Sequence, residues 1–187
     1  MILSLINPKT DNYKLLKNII LSDEFGWYYH DVSTLCGDED YLESEKYSNL
    51  SFYGHTFLDR PDGPAKYGKK TSSIKSQYFD LVHEVFEEIL KYNDFHSDYF
   101  YLRMNANCIH SNLGPQCSIP HVDHRFPHKN IIVYLTSSGG STVVNNYEYI
   151  PKEDDAILFG KNAHYLKRPL RDRRIILVAT IFADFTE

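Results

Sequence analysis

Residues 174–182 read Arg174-Ile175-Ile176-Leu177-Val178-Ala179-Thr180-Ile181-Phe182, and this run decides the class of fold. A strand with one face in water alternates apolar and polar residues, whereas a strand that is apolar on both faces lies between an interior and a covering layer. The sequence offers that layer as a helix, capped by Ser72 or Ser73 and ending near Asn93. Its Ile74, Tyr78, Leu81, Val82, Val85, Phe86, Ile89 and Leu90 form one apolar stripe. Around the deciding run, residues 99–109, 118–124, 130–136, 141–145, 156–159 and 163–167 read as further short strands separated by turns. Strands this short and this closely spaced make a sandwich, a jelly roll or a barrel. The expectation is a mainly β protein with supporting α-helices.

Farther out the signals thin. Residues 12–21 carry Tyr13, Leu16, Ile19 and Ile20 at helical spacing behind Thr10 or Asp11 as cap. Residues 22–49 are polar and acidic, broken at Gly26, Gly37 and Gly37-Asp38-Glu39-Asp40, and read as a long ordered loop around an aromatic group of Phe25, Trp27, Tyr28 and Tyr29. Residues 50–58 alternate as a strand, and Arg60-Pro61-Asp62-Gly63-Pro64 is a turn. A chain of 187 residues suits one domain. We therefore expect one unit over 1–187, with 1–98 as helical support and substrate-side segment and 99–182 as the β core.

Composition removes several functions. A net charge of −5 and a pI near 6.0 give no global field to attract nucleic acid or anionic lipid. The basic run Lys167, Arg168, Arg171, Arg173 and Arg174 is local. Three cysteines, Cys36, Cys108 and Cys117, form no C-x-x-C and no even disulfide set, and residues 1–9 are too short an apolar stretch for a signal or a span. The expected location is the reducing cytoplasm, with no membrane partner. Neither a phosphate-binding G-x-x-x-x-G-K nor a nucleophile G-x-S-x-G is present.

Chemistry gathers at His121-Val122-Asp123. On a strand, residues i and i+2 share a face, so an imidazole and a carboxylate converge on one cation. A distant histidine then completes the two-His, one-carboxylate triad that suits non-haem Fe(II). His164 stands after the Gly160-Lys161-Asn162 turn in that position. The motif alone leaves a satisfied polar pair open, since His96-Ser97-Asp98 repeats it in a polar turn. Ten residues after His164, Arg174 opens the apolar strand, where its guanidinium can grip a carboxylate through two hydrogen bonds. Arg173 is its rival; Arg174 is preferred because it shares a strand face with Ile176, Val178 and Thr180.

Together His121-Val122-Asp123, residues 130–136 (Asn130 to Thr136), Gly139-Gly140-Ser141-Thr142, residues 155–159, His164 and residues 174–182 resemble the iron(II) and 2-oxoglutarate oxygenases of the prolyl 4-hydroxylase-like superfamily. Phe25-Gly26-Trp27-Tyr28-Tyr29 and Phe52-Tyr53-Gly54-His55-Thr56-Phe57 extend the likeness to short members common in bacteriophage genomes. The resemblance implies a double-stranded β-helix, or jelly roll, with His121, Asp123 and His164 as Fe(II) ligands. It implies Arg174 as the residue holding the distal carboxylate of 2-oxoglutarate, and Tyr134 as a tyrosine assisting it; a strand tyrosine is equally a core residue with a bonded hydroxyl. It also implies consumption of O2, release of succinate and CO2, and hydroxylation of a prolyl peptide or a small molecule. Ile109 stands where the family often has a tyrosine near the metal. Arg103 and Asn105, on the first core strand, are candidates for positioning the co-substrate or for a structural role. The rival classes are a cupin-like metalloenzyme without 2-oxoglutarate, in which Arg174 has no partner, and a metal-free jelly-roll binding module.

Overall fold

A computed structural model describes residues 1–33, 47–60, 72–111 and 116–183. In chain order the elements are β1 (Ile2–Leu5), α1 (Asp11–Leu21), β2 (Tyr28–His30), β3 (Tyr47–Ser48), β4 (Phe52–Asp59), β5 (Ser73–Ile74), α2 (Phe79–Tyr92), β6 (Tyr99–His110), β7 (Cys117–Ser118), β8 (Lys129–Tyr134), β9 (Thr142–Val144), β10 (Tyr147–Tyr149), β11 (Ala156–Gly160), β12 (His164–Leu166) and β13 (Arg173–Ala183). The major sheet runs β1-β11-β8-β13-β6-β4-β2 with β5 paired to β4, and a three-stranded sheet runs β10-β9-β12. The parallel pair β3 and β7 stands apart. These sheets make the double-stranded β-helix.

The central place of β13 follows from its residues. Ile175, Leu177, Ala179 and Ile181 are buried with Val82, Val85, Phe86, Ile89 and Leu90 of α2 and with Leu16 and Ile20 of α1. The alternate residues Ile176 and Val178 join Ile132, Tyr134, Val144, Ile157 and Phe159 in a second apolar cluster. Both faces of the strand are thus covered, as its composition demands. Phe86, 0% exposed, is the largest α2 side chain in the helix-side core. Truncating such a residue costs about 3–5 kcal/mol, so Phe86→Ala is expected to lower the chemical-denaturation midpoint by that equivalent.

Some sequence expectations change. Helix α2 begins at Phe79, not behind Ser72 or Ser73, because Ser73 and Ile74 pair with Asp59 and Leu58 as β5. Ile74 continued the apolar spacing by coincidence and is 61% exposed. The Ser72 hydroxyl instead donates to the Leu102 carbonyl at 2.9 Å. At the helix start, Ser76 accepts from the Tyr78 and Phe79 amides through its hydroxyl and carbonyl oxygens. The stretch read as loop holds β2, whose Tyr28, Tyr29 and His30 pair with Gly54, Tyr53 and Phe52. Phe25 is core and touches Trp27 at 4.9 Å, whereas Tyr28 and Tyr29 are exposed. Cys36, the cluster 37–40 and residues 61–64 lie outside the described residues. Strands β1 and β10 were unforeseen, being short and at edges. Cys108 and Cys117 are both buried and neither forms a disulfide among the described residues. No helix among the described residues is long and apolar enough to cross a membrane.

Candidate metal centre

Residues 118–124 do not form the continuous strand expected. The strand β7 ends at Ser118, Pro120 has no amide proton to extend a ladder, and His121 makes only an isolated bridge, to His164. That bridge is nonetheless the frame of the site. The His121 amide donates to the His164 carbonyl at 3.0 Å and the His164 amide to the His121 carbonyl at 3.0 Å. Such a mutually bonded antiparallel pair projects both side chains to one face. Their rings lie 4.5 Å apart. Asp123 follows in a bend, with its Oδ2 3.4 Å from His164 Nε2.

Both histidines fix their tautomer in the same way. His121 Nδ1 lies 3.1 Å from the Ile119 carbonyl and His164 Nδ1 3.0 Å from the Asn162 carbonyl. A carbonyl only accepts, so the proton sits on each Nδ1 and the lone pair on each Nε2, as a metal ligand requires. Burial, with the neighbouring His121 adding to it, pulls His164 down to about 4 and keeps it neutral near pH 7. Burial alone would raise the Asp123 carboxyl; nearby His164, His121, Arg60 and His128 more than offset it and hold the group at about 2. The Asp123 side chain is 3% exposed and ionised. One ligand atom from each of His121, Asp123 and His164 lies within 4.8 Å of the others, so two imidazoles and one carboxylate fit a non-haem divalent iron. His96 and Asp98, the second copy of the motif, are exposed in the turn before β6 and join no such group among the described residues.

Arg174 lies in the interior. It pairs with Ile109 across β13 and β6 and is 2% exposed, while Arg173 beside it is exposed. Its Nε donates to the Gly140 carbonyl at 3.1 Å, a terminal nitrogen donates to Thr142 Oγ1 at 2.8 Å, and the guanidinium carbon stands 5.3 Å from the Tyr134 ring centre. The Tyr134 hydroxyl bonds Thr142 Oγ1 at 2.7 Å, and burial raises its phenol, which stays neutral. No carboxylate among the described residues pairs with Arg174. On β9, Thr142 contacts Arg174 while Val144 pairs with His164. One i to i+2 step, roughly 7 Å, therefore separates the arginine end of the interior from the histidine end.

Gly140 makes room for this arginine. A Cβ there would lie 2.7 Å from Arg174 Cδ, 3.1 Å from the Lys167 carbonyl oxygen and 3.1 Å from the Pro169 nitrogen. Gly140→Ala is expected to displace the arginine and lower the thermal unfolding midpoint, while the His121–His164 bridge at the far end persists. Sequence reading passed over Arg60, whose terminal nitrogen is 3.3 Å from Asp123 Oδ1, since a lone arginine before a turn carries no signal. It placed Arg103 on the first core strand without its partner, Asp123 Oδ1 at 3.5 Å.

No family model and no curated protein matches the chain. Solved structures do. An oxidoreductase of the 2OG-Fe(II) oxygenase family from Burkholderia pseudomallei aligns with TM-score 0.66 and 13% identity, over 96% of this chain and 84% of that one. The fold is that of the 2OG-Fe(II) oxygenases. The same 2OG oxygenase fold is shared with the alpha-ketoglutarate-dependent epimerase SnoN from nogalamycin biosynthesis, at TM-score 0.54 and 10% identity over 97% of this chain and 77% of that one. A prolyl hydroxylase from Trichoplax adhaerens, in complex with a hypoxia inducible factor peptide, aligns at TM-score 0.53 and 12% identity over 97% and 82%. At these identities the likeness is one of fold.

Proposed function

We propose that the chain is an iron(II)- and 2-oxoglutarate-dependent dioxygenase in which His121, Asp123 and His164 hold the metal and Arg174, with Tyr134 beside it, holds the distal carboxylate of the co-substrate. The buried Arg174 carries this reading. A cation withdrawn from water without an acidic partner is costly, and a guanidinium held by a carbonyl and a hydroxyl still has donors for a carboxylate fork. Thr142 of β9 meets Arg174 and Val144 pairs with His164, so the arginine and the His-Asp-His group stand roughly 7 Å apart along that strand, a separation that a five-carbon dicarboxylate spans. A cupin-like enzyme without 2-oxoglutarate leaves Arg174 unexplained, and a metal-free binding module leaves the paired histidine tautomers unexplained.

Bound iron supplies the Lewis-acid and redox chemistry that couples O2 to conversion of 2-oxoglutarate into succinate and CO2, with oxygen delivered to a prolyl peptide or small-molecule acceptor. The protein's part is positional. The His121–His164 bridge fixes two ligands side by side, the carbonyls of Ile119 and Asn162 hold their tautomers, and Ile132, Ile176 and Val178 pack with Tyr134 in one apolar cluster. The test is anaerobic addition of Fe(II) and 2-oxoglutarate. A weak visible charge-transfer band is expected, followed by slow succinate release when O2 is admitted; neither band nor succinate from metal-loaded protein overturns the reading.

A further inference from the structure

The interior holds more positive charge at its metal end than the triad needs. Arg60 and Arg103 both approach one oxygen, Asp123 Oδ1, at 3.3 and 3.5 Å, while the other oxygen faces His164. The Arg103 side chain is 14% exposed and that of Arg60 is 37% exposed. Asp123 is the only carboxylate either guanidinium meets among the described residues, and the triad claims it for a metal. Two guanidinium groups thus share an acid whose charge is already spoken for.

The strand geometry shows that this is a built feature. On β6, Arg103, Asn105 and Asn107 alternate with buried Met104 and Ala106 of the helix-side core, so they face the interior. Register shifts flank Arg103 on both sides: Thr180 pairs with Arg103 but Ile181 with Tyr101, and Thr56 pairs with Asn105 but Leu58 with Met104. Bulges of this kind re-aim side chains. Across the sheet, Arg103 stands level with Thr180, and Thr180 with Asn130. Arg103 Nε, Asn105 Oδ1 and Asn130 Nδ2 are buried polar atoms with no partner, although Asn130 Oδ1 accepts from Thr180 at 2.9 Å. Buried polar atoms are almost always satisfied. Arg103 and Asn130 stand on either side of Thr180 across three adjacent strands, and their unpaired donors mark a place for an acceptor that carries negative charge.

We propose that Arg60, Arg103 and Asn130 form the docking site for an oxyanion on the acceptor substrate, so that the molecule oxidised is a small acid bearing a carboxylate or a phosphate. This rests on the oxygenase reading and adds the substrate class to it. The arginine pair already meets one carboxylate oxygen, and charge-assisted donors of this kind discriminate strongly against a neutral isostere.

The test uses full-length protein loaded with Co(II), which gives a visible signal without turnover, and then with 2-oxoglutarate. Matched pairs are titrated: amino acids against their amides for the carboxylate arm, nucleoside monophosphates against nucleosides for the phosphate arm. Saturable binding by charged members of one arm, with neutral partners at least tenfold weaker, is expected and identifies which oxyanion is used. Arg103→Gln and Arg60→Gln are each expected to weaken that binding tenfold or more and Arg103→Lys to restore part of it. The same Gln variants should hold Co(II) as tightly or more tightly, since a repelling cation is gone. If the arginines merely brace Asp123, Co(II) binding loosens instead, which overturns the proposal, as does equal binding of neutral partners or no binding by any acid. Failure of the parent protein to take up Co(II) is a separate result and sinks the oxygenase reading beneath it.

Discussion

Alanine at His121, Asp123 or His164 is expected to abolish stoichiometric Fe(II) binding. Changes to residues that only orient a metal ligand cost roughly 10–100-fold in affinity, so removing a ligand should exceed ~100-fold. Loss should be comparable at all three positions, because each offers one potential donor atom in a group whose atoms all lie within 4.8 Å of one another. Asp123→Ala carries a second effect, since it leaves Arg60 and Arg103 without their shared acid. Anaerobic titration on variants shown by circular dichroism to be folded makes the measurement. His96→Ala is the control: exposed and outside the group, it should bind iron as the parent does. Parent-like affinity in all three triad variants would remove the site.

Arg174→Met is expected to separate stability from binding. A fully buried charge without an acidic partner is retained at a cost, and replacing it by an apolar side chain of similar length is often neutral or stabilising. The variant should therefore unfold at the same or a higher temperature than the parent. Binding of 2-oxoglutarate to the metal-loaded form should nonetheless fall on the order of tenfold to a hundredfold, the value of a charge-assisted bidentate contact. Arg173→Met, on the exposed side of the same strand, should leave both quantities near the parent values. Damage from Arg173→Met with an indifferent Arg174→Met would show that the interior face has been assigned to the wrong residues.

The sequence revealed most where one pattern constrained both local and tertiary structure. The two-sided apolar run at 175–182 announced a central strand, and the stripe from Val82 to Leu90 announced its cover. The alternation in β13 also favoured Arg174 over Arg173, and Arg174 is buried where Arg173 is exposed. The triad was legible as residue types, but not for the reason first given. His121 and Asp123 converge through one bridge and a bend, because Pro120 interrupts the ladder that simple alternation assumes. Arg60 was invisible because its partnership with Asp123 spans 63 residues and depends on pairing that no local periodicity encodes. The orphaned donors of Arg103 and Asn130 belong to the same class of feature, being properties of a packed interior.

The two faces of β13 have a genetic consequence. Helix-packing residues and site residues alternate one by one along it, and each neighbouring strand is held to the same register. Substitutions within residues 174–180 can be absorbed one position at a time, but inserting or deleting a single codon there exchanges every inward side chain for an outward one. Arg174 would turn to solvent and isoleucines would lose the helices in the same event. Only the irregularity between Thr180 and Ile181 offers slack, so descendants of this chain are free to vary in the letters of that segment while its length stays fixed.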